Sequence, residues 1–579
     1  MKALARLIVR RPMDAVEAAT FPRELHPVLQ RIYRGRRLGA AHELDRSFER
    51  LLSPALLKDM DRAVALLSEV LRARGRILVV ADFDADGATS CALVVRALRE
   101  MGSADVRYVV PNRFEYGYGL TPEIVALAAQ QAPDLIVTVD NGISSVEGVR
   151  AAQERGIRVL ITDHHLPGAV LPVADATVNP NQPGDEFPSK HLAGVGVAFY
   201  VMVALRAHLR ASGWFAQENL PDPNMARWLD LVALGTVADV VPLDHNNRIL
   251  VAQGLARMQA GRLSAGIRAL ATVSGRNCER LTTGDLAFSL APRLNAAGRL
   301  TDMSLGIECL LTDDPAQAAQ MAVRLEELNR ERRAIEAEMQ QQALGAVQTL
   351  QLDATALPRG LCLYDDSWHQ GVIGLVASRL KEHFHRPVIA FAPAGDNEIK
   401  GSARSIPGLH IRDVLDAIAA RHPGLLTRFG GHAMAAGLSL PRTHFDRFRE
   451  AFEQEVSRLV CDDDLQGRVL TDGELSDDDL TLNLAELLRH AGPWGQGFPE
   501  PMFDGIFDVL GRNVVGERHL KLQLRQPGCK RVEAIGFHYA PDGAAPDWTR
   551  IHAAYRLDVN EYRGNRALQL VLEHVEPLG

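Results

Sequence analysis

The chain alternates short, wholly apolar runs with stretches whose apolar residues recur every three or four positions. Residues 77–81, 135–139 and 159–162 are dominated by Ile, Leu, Val and Thr. Their length and composition suit strands buried on both faces of a parallel sheet. After the first run, Cys91-Ala92-Leu93-Val94-Val95 continues a helical pattern that begins near Ala88 and reaches Glu100. This alternation persists over about 76–310 and predicts a largely parallel α/β domain. A helical lead-in precedes it, over residues 1–70. From Asp314 to about Leu350 the pattern is helical with few breakers. Asp313 or Asp314 can cap it, Pro315 can take its first position, and Gly345 is its weak point. At 1.5 Å per residue such a helix spans on the order of 50 Å, and its Arg330-Glu331-Arg332-Arg333 run suits a connecting strut better than a core element.

The second half repeats the alternation once and then changes period. Residues 361–364, a helix over 371–384 and residues 388–391 predict a second α/β domain. Residues 507–510, 520–524, 532–537, 551–557 and 567–574 alternate as five short strands between Gly-rich turns, which fits a small barrel of the oligonucleotide-binding type. The predicted fold is therefore multidomain α/β. It comprises a helical segment (1–70), a parallel-sheet catalytic domain (71–312), a connecting helix (313–352), a second α/β domain (353–457) and a β-barrel (458–579).

The residues just past the apolar runs carry the chemistry. Asp82-Phe83-Asp84-Ala85-Asp86-Gly87, Asp140-Asn141-Gly142 and Asp163-His164-His165 each begin where a predicted strand ends. Ligands of open α/β sheets collect outside the carboxyl ends of strands, so these groups converge. Carboxylates gathered this closely repel one another unless a cation holds them. A lone Asp-x-Asp is ordinary loop chemistry; three spaced aspartates at a strand end are not. They also resemble the start of a calcium-binding loop, but the twelfth position from Asp82 is Leu93 and not the bidentate Glu that loop requires. Asp140 is the natural bridge between two divalent ions, whereas Asn141 and Gly142 can simply make the turn into a helix. His164 adds an imidazole, which favours Mn²⁺ over Mg²⁺ without excluding either. His165 is placed to touch a phosphate or leaving group, and Asp163 to orient an imidazole N–H. Asp239 lies within the apolar stretch Leu234-Gly235-Thr236-Val237-Ala238-Asp239-Val240, where a carboxylate is costly unless liganded, and is the candidate last ligand.

Bulk properties narrow the class. The 579 residues allow three to four domains, and 47% hydrophobic with 23% charged residues is ordinary for a globular protein. No apolar stretch reaches the ~18–20 residues of a membrane span, and the N-terminus leads into arginines rather than a signal core. The six cysteines are scattered without Cys-x-x-Cys, which suits reduced thiols in a cytoplasm. A net charge of −8 argues mildly against a nucleic-acid partner unless acids concentrate at a metal site. The Asp462–464 and Asp477–479 runs read as solvated loops. The cluster Arg31, Arg34, Arg36 and Arg37 reads as a solvated face, with phosphate contact as the alternative.

In this order, the motifs resemble the DHH phosphoesterase superfamily, and within it the single-strand-specific exonuclease branch. The resemblance rests on Asp82-Phe83-Asp84-Ala85-Asp86-Gly87, Pro111-Asn112-Arg113-Phe114-Glu115-Tyr116-Gly117, Asp140-Asn141-Gly142, Asp163-His164-His165, Ala193-Gly194-Val195-Gly196 and the Asp239 segment. It continues through Pro292-Arg293-Leu294-Asn295-Ala296-Ala297-Gly298-Arg299 and, in the second domain, Trp368-His369-Gln370-Gly371, Gly401-Ser402-Ala403-Arg404-Ser405 and Phe429-Gly430-Gly431-His432. Many superfamily members carry a His upstream of the first aspartates; Val80 and Asp82 stand there instead. The resemblance implies two Mn²⁺ or Mg²⁺ ions on Asp82, Asp84, Asp86, Asp140, His164 and Asp239, with His165 at the scissile phosphate. It implies strand or phosphate contacts from Asn112, Arg113, Arg293 and Arg299. Arg404, Ser405, Gly430, Gly431 and His432 would hold the terminal phosphate. The implied activity is 5′ to 3′ hydrolysis of single-stranded DNA to 5′-mononucleotides in repair and recombination, in the cytoplasm and without a membrane. The implied partner is a single-strand-binding protein, and a monomer is expected. A ring or cleft too narrow for duplex, with the barrel as a stacking platform, would explain the single-strand preference.

Overall fold

Arg76–Ala81 and Leu135–Val139 carry no charged side chain past Arg76, and the sheet they form is correspondingly buried on both faces. The computed structural model describes residues 6–578 except 13–20, 112–118, 350–356, 396, 527–530, 541–542 and 563–564. The chain forms two units. One comprises Met13–Asn329 with Glu486–Glu500; the other comprises Met1–Pro12, Arg330–Ala485 and Pro501–Gly579.

In the first unit, five parallel strands lie in the order Asp105–Val109, Arg76–Ala81, Leu135–Val139, Arg158–Thr162 and Ala176–Val178. The chain leaves Arg76–Ala81 towards one edge and Leu135–Val139 towards the other. The loops that come after these two neighbours therefore part, opening a crevice at their carboxyl ends. The helix Ala85–Glu100 is buried from Ala85 to Leu98 and packs against the helices Gly194–Ala211 and Leu229–Ala238. It starts three residues earlier than its apolar pattern suggests, because Asp84 caps it, accepting from the N–H groups of Asp86 (2.9 Å) and Gly87 (3.0 Å). Gly194–Ala211 corrects the expectation about apolar stretches: by length and composition it could cross a membrane. It is instead mostly buried within this unit. Among the N-terminal arginines, Arg36 is buried, donating to the carbonyl of Pro499 at 2.8 and 3.0 Å.

The long helix runs from Pro315 to Thr349, with Asp314 accepting from Ala316 N at 2.8 Å. It is more than a strut. Ala318, Ala322 and Leu325 are fully buried, and Met339 and Ala343 belong to a core of the second unit. That unit holds a sheet ordered Arg428–Gly431, Ala435–Pro441, Glu398–Arg404, Val388–Pro393 and Leu361–Tyr364, parallel only between the last two. It also holds a closed barrel of Phe503–Val515, His519–Arg525, Arg531–Gly536, Asn565–Pro577 and Arg550–Tyr562. The lead-in is not wholly helical: Leu7–Arg10 is a strand lying parallel to Arg468–Thr471.

Candidate metal centre and phosphate-binding residues

The acidic groups meet at the crevice where the sheet changes direction. Asp82 comes directly after Ala81, and its N–H donates to the carbonyl of Val139 at 3.3 Å, tying the two central strands together. Gly87 is fixed by that loop, since a Cβ there would lie 2.5 Å from the carbonyl oxygen of Asp82. Asp86 is 1% exposed. Its carboxylate accepts from Gly194 N (2.6 Å) and Val195 N (3.0 Å), the first N–H groups of the helix Gly194–Ala211. Asp140 takes a left-handed backbone, φ 61°, which an aspartate tolerates better than most residues. A Cβ on Gly194 would come within 2.6 Å of its side chain. Asn141 makes the turn, donating to the carbonyls of Val80 (3.1 Å) and Val139 (2.9 Å).

The histidines close the site. His164 Nε2 lies 3.1 Å from Asp140 Oδ1 and 3.4 Å from Asp239 Oδ2. Asp163, 1% exposed, accepts from His164 N (2.7 Å), His165 N (3.1 Å) and Ile143 N (2.9 Å), and its Oδ1 lies 2.7 Å from His165 Nδ1. It therefore shapes the turn and fixes the His165 ring. Asp239 caps the helix Leu229–Ala238, and the next residue, Val240, is held at φ 61°, a strained conformation for a β-branched side chain.

Ligand atoms of Asp82, Asp84 and Asp140 lie within 4.8 Å of one another, as do those of Asp86, His164 and Asp239. Asp140, His164 and His165 satisfy the same limit, so Asp140 and His164 join the two groups. Burial, then the neighbouring carboxylates, push Asp140 and Asp239 well above the usual carboxylate range. Burial and the charge of Asp84 raise Asp86 to about 7 against the pull of its two N–H donors. Burial opposes a charge on His165, but its bond to Asp163 and the field of Asp163, Asp82 and Asp84 raise it to about 9. Five carboxylates at this density are unfavourable alone and fit divalent cations. The mostly oxygen donor set with one imidazole suits Mn²⁺ or Mg²⁺.

The other expected residues are more dispersed in role. Arg293 is buried, with its guanidinium 2.7 Å from Glu326. Arg299 is half-buried in the last turn of Ala291–Leu300. Asn112 and Arg113 lie outside the described residues. In the second unit, Arg404 donates to Ser378 Oγ (3.2 Å) and Ser402 Oγ (3.0 Å), and burial lowers its pKa below the ordinary arginine value. A Cβ on Gly374, at the start of the helix Ile373–Phe384, would lie 2.9 Å from its Nη2, so the glycine lets the guanidinium lie against that helix end. Ser405 Oγ is committed to the carbonyl of Leu409 at 2.7 Å. Gly430 and Gly431 end an edge strand. Gly431 takes φ 144°, and His432 N donates to Ala435 O at 2.8 Å across the turn.

Four supporting residues have no role assigned from the sequence, although Asn295 and Gly298 lie in the motif Pro292–Arg299. Asn295 Oδ1 accepts from Ala85 N (2.8 Å), and a Cβ on Gly298 would strike the carbonyl of Phe83 at 1.8 Å, so the helix Ala291–Leu300 holds the first acidic loop. Asn179 and Asn181 donate to the carbonyls of His165 (3.0 Å) and His164 (2.6 Å). They lie just past the strand Ala176–Val178, the same strand-end signal that marks the aspartates.

Comparison with known proteins fits this geometry. The DHH family, N-terminal domain, matches residues 76–236, and the DHHA1 domain matches 356–458. The RecJ OB domain matches 471–574. The single-stranded-DNA-specific exonuclease RecJ of Dickeya dadantii is 54% identical over 574 residues, 98% of this chain and 99% of its own length. This chain belongs to the RecJ family. The RecJ of Escherichia coli is 51% identical over 98% of this chain and 99% of its own. The crystal structure of RecJ in complex with Mn²⁺ from Thermus thermophilus has a TM-score of 0.79 at 31% identity, covering 99% of this chain and 79% of that one. Its counterpart in complex with Mg²⁺ has a TM-score of 0.73 at 30% identity, covering 99% and 78%.

Proposed function

We propose that this chain is a metal-dependent exodeoxyribonuclease that removes 5′-mononucleotides from single-stranded DNA in the 5′ to 3′ direction. The observation that carries this reading is the meeting of two buried donor groups at Asp140 and His164, at the switch point of a parallel sheet. Asp82, Asp84 and Asp140 would hold one divalent ion, and Asp86, His164 and Asp239 the other, with Asp140 between them. Such a pair supplies a water activated near neutral pH and stabilises charge at the phosphoryl centre. The protein's own groups do the rest. Asp163 anchors His165 through Nδ1, which leaves Nε2 to donate to a non-bridging oxygen of the scissile phosphate. Asp84 caps the helix Ala85–Glu100 through the N–H groups of Asp86 and Gly87, which fixes the acidic loop at the helix start.

Arg404 is our candidate for the terminal phosphate, since its mostly buried guanidinium is bonded to hydroxyls and a carbonyl rather than to a carboxylate among the described residues. Arg404→Ala should raise KM for a 5′-phosphorylated strand roughly tenfold or more while changing kcat less, as steady-state kinetics would read. The reading extends to a monomeric cytoplasmic enzyme of DNA repair and recombination that works beside a single-strand-binding protein. The family relationship supports its single-stranded DNA substrate. Incubation with Mn²⁺ and 5′-labelled single-stranded, duplex and dinucleotide substrates tests the activity. Labelled mononucleotide should come first from the single strand. Release from the dinucleotide alone would move the substrate to short oligonucleotides, and no release from any would leave a binding scaffold.

A further inference from the structure

Behind the metal centre, within the same unit, lies a cavity of about 760 Å³ that the nuclease reading leaves unused. Its walls carry five arginines: Arg96, Arg227, Arg257, Arg262 and Arg268. Two are already engaged. Arg96 is buried, paired with Asp313 and bonded to the carbonyl of Leu311 (2.8 Å), where it satisfies the end of the helix Ser304–Leu311. Arg227 meets Glu100 at 2.6 Å. The other three have no carboxylate in contact among the described residues. Among the described residues, the Arg268 guanidinium donates only to the carbonyl of Gly261, at 2.8 Å. The side chains of Arg257 and Arg262 have no hydrogen-bond or ion-pair partner among the described residues, and the Nε of Arg257 is buried in that condition.

Of the two carboxylates in the wall, Asp313 is taken by Arg96 and Asp230 is bonded to backbone N–H groups. Asp230, 1% exposed, spends one oxygen on Leu231 N (2.8 Å) and the other on Ser264 N (2.7 Å). Burial, with Arg262 and Arg227 nearby, holds Arg257 below the ordinary arginine pKa despite the pull of Asp230. Arg257 carries the desolvation, with a buried Nε left without a partner among the described residues, and the exposed Arg262 and Arg268 stand beside it on the same cavity wall. Planar forks of this kind match phosphate oxygens in pairs. Much of the remaining wall is apolar, including Leu263, Ala269, Val273 and Val323, and the volume is that of a small-molecule site.

The geometry points to a binding site for a nucleoside polyphosphate, its phosphates on Arg257, Arg262 and Arg268 and its nucleoside against the apolar wall. This is not the route to the metals. Arg96 lies towards the far end of the helix Ala85–Glu100, roughly 15 Å from Asp86 along the axis. Trp228 and Asp230 likewise open the helix that Asp239 closes. A ligand in the cavity would therefore sit at the opposite ends of the two helices that present metal ligands.

The test is calorimetric titration of the full chain in EDTA, so that the metal centre cannot capture the nucleotide. The probes are ATP, GTP and dAMP, with an acidic peptide free of phosphate as comparison. ATP or GTP should bind at least tenfold more tightly than dAMP. The double variant Arg262→Ala/Arg268→Ala, altered only at exposed side chains, should weaken that binding tenfold or more and keep the melting temperature of the parent. Arg257→Lys, which keeps the charge and loses the fork, should also weaken it. No binding of either triphosphate, binding unchanged in the double variant, or preference for the acidic peptide would each overturn the assignment.

Discussion

Asp140 is the residue on which the site turns. Its left-handed backbone, its burial at 2% exposure and its contact with His164 place it where two donor groups meet. Asp140→Ala should abolish mononucleotide release while leaving single-strand affinity within a few-fold, as a nuclease assay paired with fluorescence anisotropy would read. Equal loss of both would mean Asp140 serves the strand and not the metals. Asn295 acts differently, by holding Ala85 N and thereby the acidic loop. Asn295→Ala should weaken Mn²⁺ affinity on the order of 10–100-fold, with activity recovering at high Mn²⁺. Failure of excess metal to rescue would give Asn295 another role. Asp82, Asp84, Asp86, Asp140, His164 and Asp239 are legible in the sequence because charged groups at the ends of apolar runs have few structural reasons to be there. The supporting roles of Asn295 and Gly194 are not, because each serves an atom far along the chain and neither breaks a local pattern.

At the scale of elements, the close approach of backbone segments sets the site. A Cβ on Gly87 would meet the backbone of Asp82 at 2.5–2.9 Å, and backbone yields less readily than a side-chain tip. Gly87→Ala should therefore destabilise the fold by about 1–3 kcal/mol and lower the melting temperature, measured by calorimetry without metal. An unchanged melting temperature would show that the loop can shift. The same loop explains the displaced helix start. The sequence marks Asp84 as a metal ligand, yet its carboxylate also caps the helix, so the helix begins at Ala85 and not near Ala88. In the barrel, the strands are legible but longer than their alternation suggests. Phe503–Val515 continues past a bulge between Val509 and Gly511 into a segment with polar and exposed positions, where alternation no longer distinguishes strand from turn.

At the scale of the molecule, the net charge of −8 conceals its distribution. Part of the acidity is gathered at one buried centre, and a cavity behind it gathers arginines, so the global balance says little about partners. The order of strands is not legible beyond its parallel class, because the three central strands are similarly apolar. The sheet order is nonetheless what brings Asp82 and Asp140 to neighbouring strands. The central claim is that this centre holds two divalent ions joined by Asp140. Electron paramagnetic resonance of the full chain titrated with Mn²⁺ tests it most directly. Two Mn²⁺ per chain are expected, with the spectrum of a spin-coupled pair, and that coupling should be lost in Asp140→Ala. A single Mn²⁺ per chain, or two ions that remain magnetically independent in the unaltered protein, would contradict it.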